Sequence, residues 1–126
     1  MAAPRDSDLP VFTYHRHTIT YAGVAPAAAG TAIGFDRQIA GNAGQPAFGI
    51  LEFDAVTGQD VTIAIAGICQ CISSGGGIFI GNAIVFDSFG RATTVAAGVQ
   101  IFGRALSAAT AAGQKIQVLI TREGTN

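Results

Sequence analysis

Apolar and polar residues alternate along several short stretches of this chain, a pattern typical of β-strands with one buried face. The stretch VFTYHRHTITY, residues 11–21, alternates in this way and is rich in β-branched and aromatic residues, so it predicts a strand. Two later stretches place isoleucine or valine at every second position: Val61, Ile63 and Ile65, then Ile116, Val118 and Ile120. Each of these sets is expected to lie on one face of a strand.

The chain also contains an internal repeat. The first repeat reads IGFD, FG, GQ and VTIAI, beginning at residues 33, 48, 58 and 61, and the second reads IVFD, FG, GQ and IQVLI, beginning at residues 84, 102, 113 and 116. Matching positions are offset by 51, 54 and 55 residues, so the repeats differ by short insertions in loops. The alanine-rich stretch 107–113 allows at most one helical turn, because its counterpart in the first repeat has no helical periodicity.

Short strands separated by frequent turn signals predict an all-β fold, a small barrel or sandwich with an internal pseudo-repeat and an extended N-terminal arm. We expect residues 1–20 to form the arm and first strand and residues 21–126 a single β-domain, with repeats at about 33–66 and 84–121. The uncharged run from Val61 to Phe86 is long enough to cross a bilayer. Polar and glycine residues interrupt it, so two strands joined by a glycine-rich hairpin loop are preferred over a membrane helix.

Charged residues make up only 12% of the chain, and the formal net charge is −1. Lys115 is the sole lysine, so binding to nucleic acid by phosphate neutralisation is not expected. A surface with so little charge favours coverage by other subunits, which predicts a homo-oligomer or a component of a shell and not a free monomer. The N-terminus lacks the apolar core of a signal peptide, so synthesis in the cytosol without export is expected.

Two cysteines, Cys69 and Cys71, are expected on the same face of one strand. Together with His15 and His17 they offer the donor atoms of a zinc site, but zinc sites use wider ligand spacings than these. Small thiols buried in a core strand are the preferred interpretation, and we expect no metal.

No motif in the chain indicates catalysis. The glycine-rich stretch SSGGGIFIG, residues 73–81, lacks the Gly-Lys-Ser/Thr of a phosphate-binding loop and misses the dinucleotide spacing by one residue. Asp36 and Asp87 occupy matching positions ahead of turns, where hydrogen bonds that cap the loops explain them. The residues assemble no active site, so the protein is predicted to be neither an enzyme nor dependent on a cofactor.

The first predicted strand concentrates the side chains that are favoured at protein contacts. The alternative for this segment is an edge strand with an exposed polar face. We hypothesise that residues 1–20 tether the body to a neighbouring protein through six candidate contact residues: Val11, Phe12, Tyr14, His15, Arg16 and His17.

The second repeat resembles the C-terminal part of a family of small tailed-phage head proteins, the capsid decoration or cement proteins. The resemblance rests on an Asp-x-x-Gly turn, a Gly-x-Ala-Leu segment, a later glycine and an alternating strand, here Asp87, Gly90, Gly103, Ala105, Leu106, Gly113, Ile116, Val118 and Ile120. Residues 40–70 are similar to the middle section of the family, so the resemblance covers roughly residues 30–122. The stretch 11–21 departs from it, being more aromatic than is usual there.

The resemblance implies a structural virion protein that is made in the host cytoplasm and binds the outside of an assembled phage capsid. It would sit there as a trimer at threefold positions and clamp neighbouring major capsid subunits against the pressure of packaged DNA, without contacting nucleic acid or membrane. The alternative is a ligand- or carbohydrate-binding β-module of a phage tail or fibre. That alternative is disfavoured by the absence of Trp and the presence of only two Tyr, and an exposed aromatic platform would favour it.

Overall fold

The strands predicted from alternation form the body of the protein. The computed structural model describes residues 14–40, 47–94 and 100–124, and in these ranges the chain forms strands and no helix. The strands are β1 (Tyr14–Thr20), β2 (Ala32–Gly34), β3 (Ala47–Leu51), β4 (Asp60–Ile72), β5 (Ala83–Phe86), β6 (Ala92–Thr93), β7 (Gly103–Ala105) and β8 (Lys115–Ile120). The all-β prediction is confirmed, and the described residues contain no helix with the length and hydrophobicity needed to cross a bilayer.

The strands pair in one curled antiparallel sheet in the order β2-β3-β4-β8-β7-β5-β6, a half-barrel, and β1 also pairs with β4. Ile63 of β4 has partners in both β1 and β3, whereas Gly67 has partners in β1 and β8. Strands β3 and β8 therefore share one edge of β4, and β1 lies on the other. The amide of Ala32 donates to the carbonyl of Gly90 (2.9 Å), which brings the β5–β6 turn against β2.

A β-bulge at Ile65 reverses the faces of β4 halfway along its length. In β1, Arg16 is opposite Ala64 and His15 is opposite Ala66, so Ile65 is the extra residue. Before the bulge, Val61 and Ile63 pack in one core cluster with Ile19, Tyr21, Ala27, Ile33, Leu51 and Ala55. After it, Cys69 and Cys71 pack in a second, larger cluster, whose other members include Ile50, Ile84, Phe86, Phe102, Ile116 and Val118. The long strand β4 thus contributes to both cores.

The two repeats pair their strands in the same register. Ile33 is opposite Gly49 in the first repeat, and Ile84 is opposite Gly103 in the second. The next pair of strands matches too: Leu51 faces Ile63, and Ala105 faces Val118. These positions keep the offsets of 51, 54 and 55 residues read from the sequence. The β4–β8 pair joins the repeats, so the strand order β2-β3-β4-β8-β7-β5 reads symmetrically outward from it.

The glycine-rich segment between β4 and β5 is not the predicted hairpin loop, and that prediction was wrong. Strand β4 pairs with β1, β3 and β8, whereas β5 pairs with β6 and β7. The segment instead crosses the molecule, with Ile78 buried and bridged to Ala109. The buried Ser73 hydroxyl donates to the carbonyl of Ala111 (2.7 Å). Glycine and serine predict a change of direction, but they do not determine which distant strand each flanking strand will join.

The loop-capping roles predicted for the two matching aspartates are confirmed. Asp36 Oδ1 accepts a hydrogen bond from the amide of Gln38 (3.1 Å). Asp87 Oδ1 accepts from the amides of Phe89 (2.9 Å) and Arg91 (3.0 Å). Both carboxylates hold tight turns, as short polar side chains do at such positions.

Candidate interaction surface

The candidate contact residues fall at the start of β1 and just before it. Val11 and Phe12 lie outside the described residues, as does the rest of the predicted arm. Tyr14 and His15 belong to β1 by their backbone pairing with β4. Arg16 and His17 are exposed, and because they are consecutive strand residues they belong to opposite faces of β1.

On one face, Arg16 reaches a shallow groove. Its Nε lies 3.3 Å from Oε1 of Glu52, a carboxylate that is largely buried. Burial raises the pKa of Glu52 above its ordinary value. The groove encloses about 230 Å³, and its other lining residues are Ala29, Gly30, Leu51, Phe53, Gln70 and Lys115. Charged groups of both signs and one exposed ring therefore share this depression.

On the other face, three rings form what we call the aromatic track: His17, Phe48 and Phe35. The centroids of His17 and Phe48 are 5.4 Å apart with tilted planes. Phe35 is stacked on Phe48 with a centroid distance of 4.9 Å and an interplanar angle of 20°. Phe48 is half-buried and supports the other two, which are exposed. Offset and tilted pairs of this kind add about 0.5–1.5 kcal/mol beyond area burial.

Large apolar side chains project from the turns of the molecule. Within the described ranges, four phenylalanines are between 62% and 72% exposed: Phe35, Phe53, Phe79 and Phe89. Ile80, next to Phe79 in the turn before β5, is also 72% exposed. Single exposed apolar residues are ordinary, but four exposed aromatic rings on a small domain indicate surfaces that meet other molecules.

Phe89 forms one wall of a second depression, which we call the Phe89 groove. It encloses about 350 Å³, and its lining is mostly apolar with one cation: Pro26, Ala27, Ala28, Thr31, Ile39, Ile72, Phe89 and Arg91. The Asp87 cap fixes the backbone of both Phe89 and Arg91, so this wall is held by hydrogen bonds.

A family model for phage cement proteins matches residues 13–120. The chain belongs to the phage cement protein family. It is accordingly a structural protein of a phage virion.

The fold is also similar to that of a solved phage structure, the "N base" of the head fiber protein gp8.5 of bacteriophage phi29. The two share 19% sequence identity with a TM-score of 0.64, and the match covers 89% of this chain and 99% of that one. At this identity the likeness concerns the fold alone. A search of curated proteins finds no match.

In this member of the cement family, the two cysteines are free and buried in the larger core cluster. The neighbouring Cys69 thiol and burial raise the pKa of Cys71 well above its ordinary value, so its thiol stays protonated. His17 lies in the aromatic track, away from that core. Among the residues that the structure describes, no three His, Cys, Asp or Glu side chains are placed together to hold a metal ion.

Two arginines, Arg104 in β7 and Arg122 after β8, make contacts that hold the sheet together. Arg122 donates to the carbonyls of Ala47 (2.8 Å), Phe48 (2.6 Å) and Ile65 (3.1 Å), where β3 and β8 follow one another along β4. Arg104 makes a two-pronged ion pair with Glu123 (2.8 and 2.7 Å). The Arg104 and Thr121 hydrogen bonds lower the pKa of Glu123 to about 2.

Sequence reasoning did not identify the exposed phenylalanines or the Phe89 groove. In a sequence, phenylalanine is first read as a core residue. The available signal was its position: Phe35, Phe79 and Phe89 all stand in or next to turn sequences containing Asp, Gly or Asn.

Proposed function

We propose that the protein binds the outer surface of an assembled phage capsid and stabilises it by clamping neighbouring major capsid subunits. Membership of the cement family carries this proposal. The protein would act as a homo-oligomer, for which we propose a trimer, and it would need no catalytic step, cofactor, nucleic acid or lipid. It would be made in the host cytoplasm and reside on the capsid surface.

The physical requirements of such a role agree with the surface described above. A protein that binds only the assembled lattice stabilises that lattice by mass action. Many weakly held molecules bound side by side add to a large collective effect. The exposed rings of Phe35, Phe53, Phe79 and Phe89 offer apolar contact area on a rigid β body with little charge to desolvate.

We propose that the capsid contact surrounds β1, so that it includes Arg16 on one face of the strand and the aromatic track on the other. It would comprise the six candidate contact residues, Val11, Phe12, Tyr14, His15, Arg16 and His17, together with Phe35. Phe35 supports this choice because it packs on Phe48, which also contacts His17 of β1. Aromatic and arginine side chains of this kind dominate binding energy at protein interfaces.

The test is sedimentation of the purified protein with purified phage shells, comparing expanded shells with precursor shells. We expect binding to the expanded shells alone, and a loss of at least tenfold in affinity for a variant carrying His17→Ser and Phe35→Ser. The matched control is Leu106→Ser, which removes an exposed apolar side chain from the second repeat.

Binding to neither shell would contradict the cement function. Equal binding by the double variant and the control would leave the family role but reject this contact face. Thermal unfolding of each variant establishes that the loss comes from the contact and not from the fold.

One observation favours the second candidate, a carbohydrate-binding module. The stacked Phe35–Phe48 pair is an aromatic platform with one exposed ring, on which a sugar ring could stack. Only Phe35 presents a free ring face, however, since Phe48 lies beneath it. Saturable glycan binding that Phe35→Ser abolishes, without any binding to shells, would replace the capsid proposal.

A further inference from the structure

The turn before β2, residues 28–31, and the turn before β5, residues 79–82, make the same backbone hydrogen bonds but present different surface shapes. In the first repeat the amide of Thr31 donates to the carbonyl of Ala28, and in the second the amide of Asn82 donates to that of Phe79. The amides that follow on each side also match: Gly30 donates to Leu51, and Gly81 donates to Ala105. The position that carries Ala28 in one turn therefore carries Phe79 in the other, and Ala29 corresponds to Ile80.

This difference in size produces a projection on one repeat and a depression on the other. Phe79 and Ile80 project from their turn with 66% and 72% of their surface exposed, and we call this pair the knob. Ala28 lines the Phe89 groove, and Ala29 lines the shallow groove that Arg16 reaches. The small side chains of Ala28 and Ala29 thus leave open the space that Phe79 and Ile80 occupy at the matching turn.

We propose that the knob of one subunit inserts into the Phe89 groove of a second copy of this chain, forming the contact of the homo-oligomer. This inference deepens the proposed function, on which it rests, by naming the surfaces through which the subunits meet. A contact between two different surfaces is heterologous, so it does not give a twofold dimer; repeated, it gives a ring when its rotation closes and an open filament when it does not. For this protein we propose the closed ring, in keeping with the trimer proposed above.

The knob and the groove are apolar surfaces with little net charge beside them. The rim of the groove carries the exposed guanidinium of Arg91. Beside the knob, Arg104 donates to the carbonyl of Gly81 (3.4 Å) and forms an ion pair with Glu123 (2.7 Å), so the charges next to the knob turn neutralise each other. The proposed contact therefore rests on the fit of apolar side chains and not on charge.

The buried area also favours a ring. The two knob side chains expose on the order of 300 Å² of apolar surface, and the groove walls would bury a similar amount. The total of roughly 600 Å² is below the 1,200–2,000 Å² of a stable pairwise interface. In a closed ring each subunit contributes one knob and one groove, which doubles the contact per subunit and makes dissociation require two breaks.

The test is sedimentation velocity of the free protein over a range of concentrations. We expect the wild-type chain to sediment as a closed oligomer. Two variants should sediment as monomers: the knob variant, which carries both Phe79→Ser and Ile80→Ser, and the groove variant Ala28→Phe. Ala28→Phe fills the groove, and the matching turn carries phenylalanine at the equivalent position 79, so this backbone accepts the substitution. The control Phe53→Ser removes an equally exposed ring outside both surfaces and should leave the oligomer unchanged.

Cross-linking tests the heterologous geometry directly. An oxidised equimolar mixture of Ala28→Cys and Ile80→Cys should give a disulfide-linked dimer, whereas either variant alone should give none. The native cysteines are buried and provide an unreactive background. Cross-linking by a single variant would overturn the proposed contact.

The remaining outcomes are equally decisive. A monomeric wild type, an oligomer that survives the knob or groove variants, or an oligomer lost with Phe53→Ser would each overturn the contact. A monomer that still binds expanded shells would leave the proposed function standing without this contact. An oligomer that depends on the knob but binds no shells would support this contact and contradict the proposed function.

Discussion

Gly103 and Gly49 are placed where a strand backbone comes unusually close to its neighbour. A Cβ atom added at Gly103 would lie 2.1 Å from the carbonyl oxygen of Leu119, and one at Gly49 would lie 2.6 Å from that of Ala64. The two positions match in the repeat, which explains why the Phe-Gly pair recurs. A backbone oxygen cannot move aside as a flexible side chain can, so these glycines are required by close approach.

We therefore predict that Gly103→Ala and Gly49→Ala each lower the free energy of unfolding by about 1–3 kcal/mol, the usual cost of overpacking. Urea unfolding measures the change. Gly75→Ala is the matched control, because a Cβ there meets no atom within 4 Å. The control should be neutral or slightly stabilising, since alanine restricts the unfolded chain. Comparable losses at Gly75 and Gly103 would contradict the close-approach explanation.

Phe35 and Phe86 show that a sequence motif does not determine whether one of its residues is exposed or buried. They occupy the same position in the IGFD and IVFD motifs, yet Phe35 is 62% exposed and Phe86 only 9%. Strand β5 runs one residue further than β2 in the repeat, so Phe86 stays in the strand and packs on Phe102, whereas Phe35 falls in the turn. The motif alone contains no signal for this difference.

At the scale of elements, alternation predicted β1, β4 and β8, and the repeat predicted that equivalent strands would recur. These features are local or depend on comparing the chain with itself. The pairing of β5 with β7, and the bulge at Ile65 that sends β4 into two cores, depend on residues far apart in sequence. The Phe89 groove likewise combines the distant residues Ala28, Ile72 and Phe89, so sequence patterns could not predict it.

The segment that follows β8 should make stability depend on pH. Glu123 has its pKa lowered to about 2 from an ordinary 4.5, chiefly by hydrogen bonds from Arg104 and Thr121. Because the pKa of Glu123 is lower in the folded state than in the unfolded state, the interactions of its carboxylate stabilise the fold fully above about pH 4.5. That stabilisation is lost as the pH falls toward 2. We predict that Glu123→Gln is less stable than the wild type at neutral pH and that the difference disappears near pH 2.

Urea unfolding of both proteins between pH 2 and 7 provides the measurement. The same substitution in an Arg104→Gln background is the control, since it lacks the main hydrogen-bond partner. In that background the effect of Glu123→Gln should vary much less with pH. A difference that stays constant from pH 7 to 2 would show that the ion pair does not contribute in solution.

At the scale of the whole molecule, the two larger core clusters share the same strands and should not unfold separately. Consecutive residues of β2, Ala32 and Ile33, belong to different clusters, and so do Ile50 and Leu51 of β3. Strand β4 supplies Ile63 to one cluster and Cys71 to the other. Neither cluster can lose its strands while the other keeps its own, so we predict a single cooperative unfolding transition.

The chain offers one probe for each cluster. Tyr21 is buried in the smaller cluster, and in a Tyr14→Phe background its fluorescence reports on that cluster alone. Cys69 and Cys71 are buried in the larger one, where their reaction with a thiol reagent in urea reports exposure. Both probes are read in the variant carrying Phe79→Ser and Ile80→Ser, which on the proposed knob contact is monomeric, so that self-association would not add to the unfolding signal. The two probes should give the same urea midpoint.

The matching substitutions Ile33→Val and Ile84→Val sharpen this prediction, because each removes one methylene group from a different cluster. Each should lower stability by about 0.5–1.5 kcal/mol and should shift both probes together. A midpoint that moves for tyrosine but not for the thiols would mean that the two clusters unfold as separate units. The clamp role proposed above would need the cooperative outcome, since a subunit that loosens in one cluster would no longer hold its partners in a defined geometry.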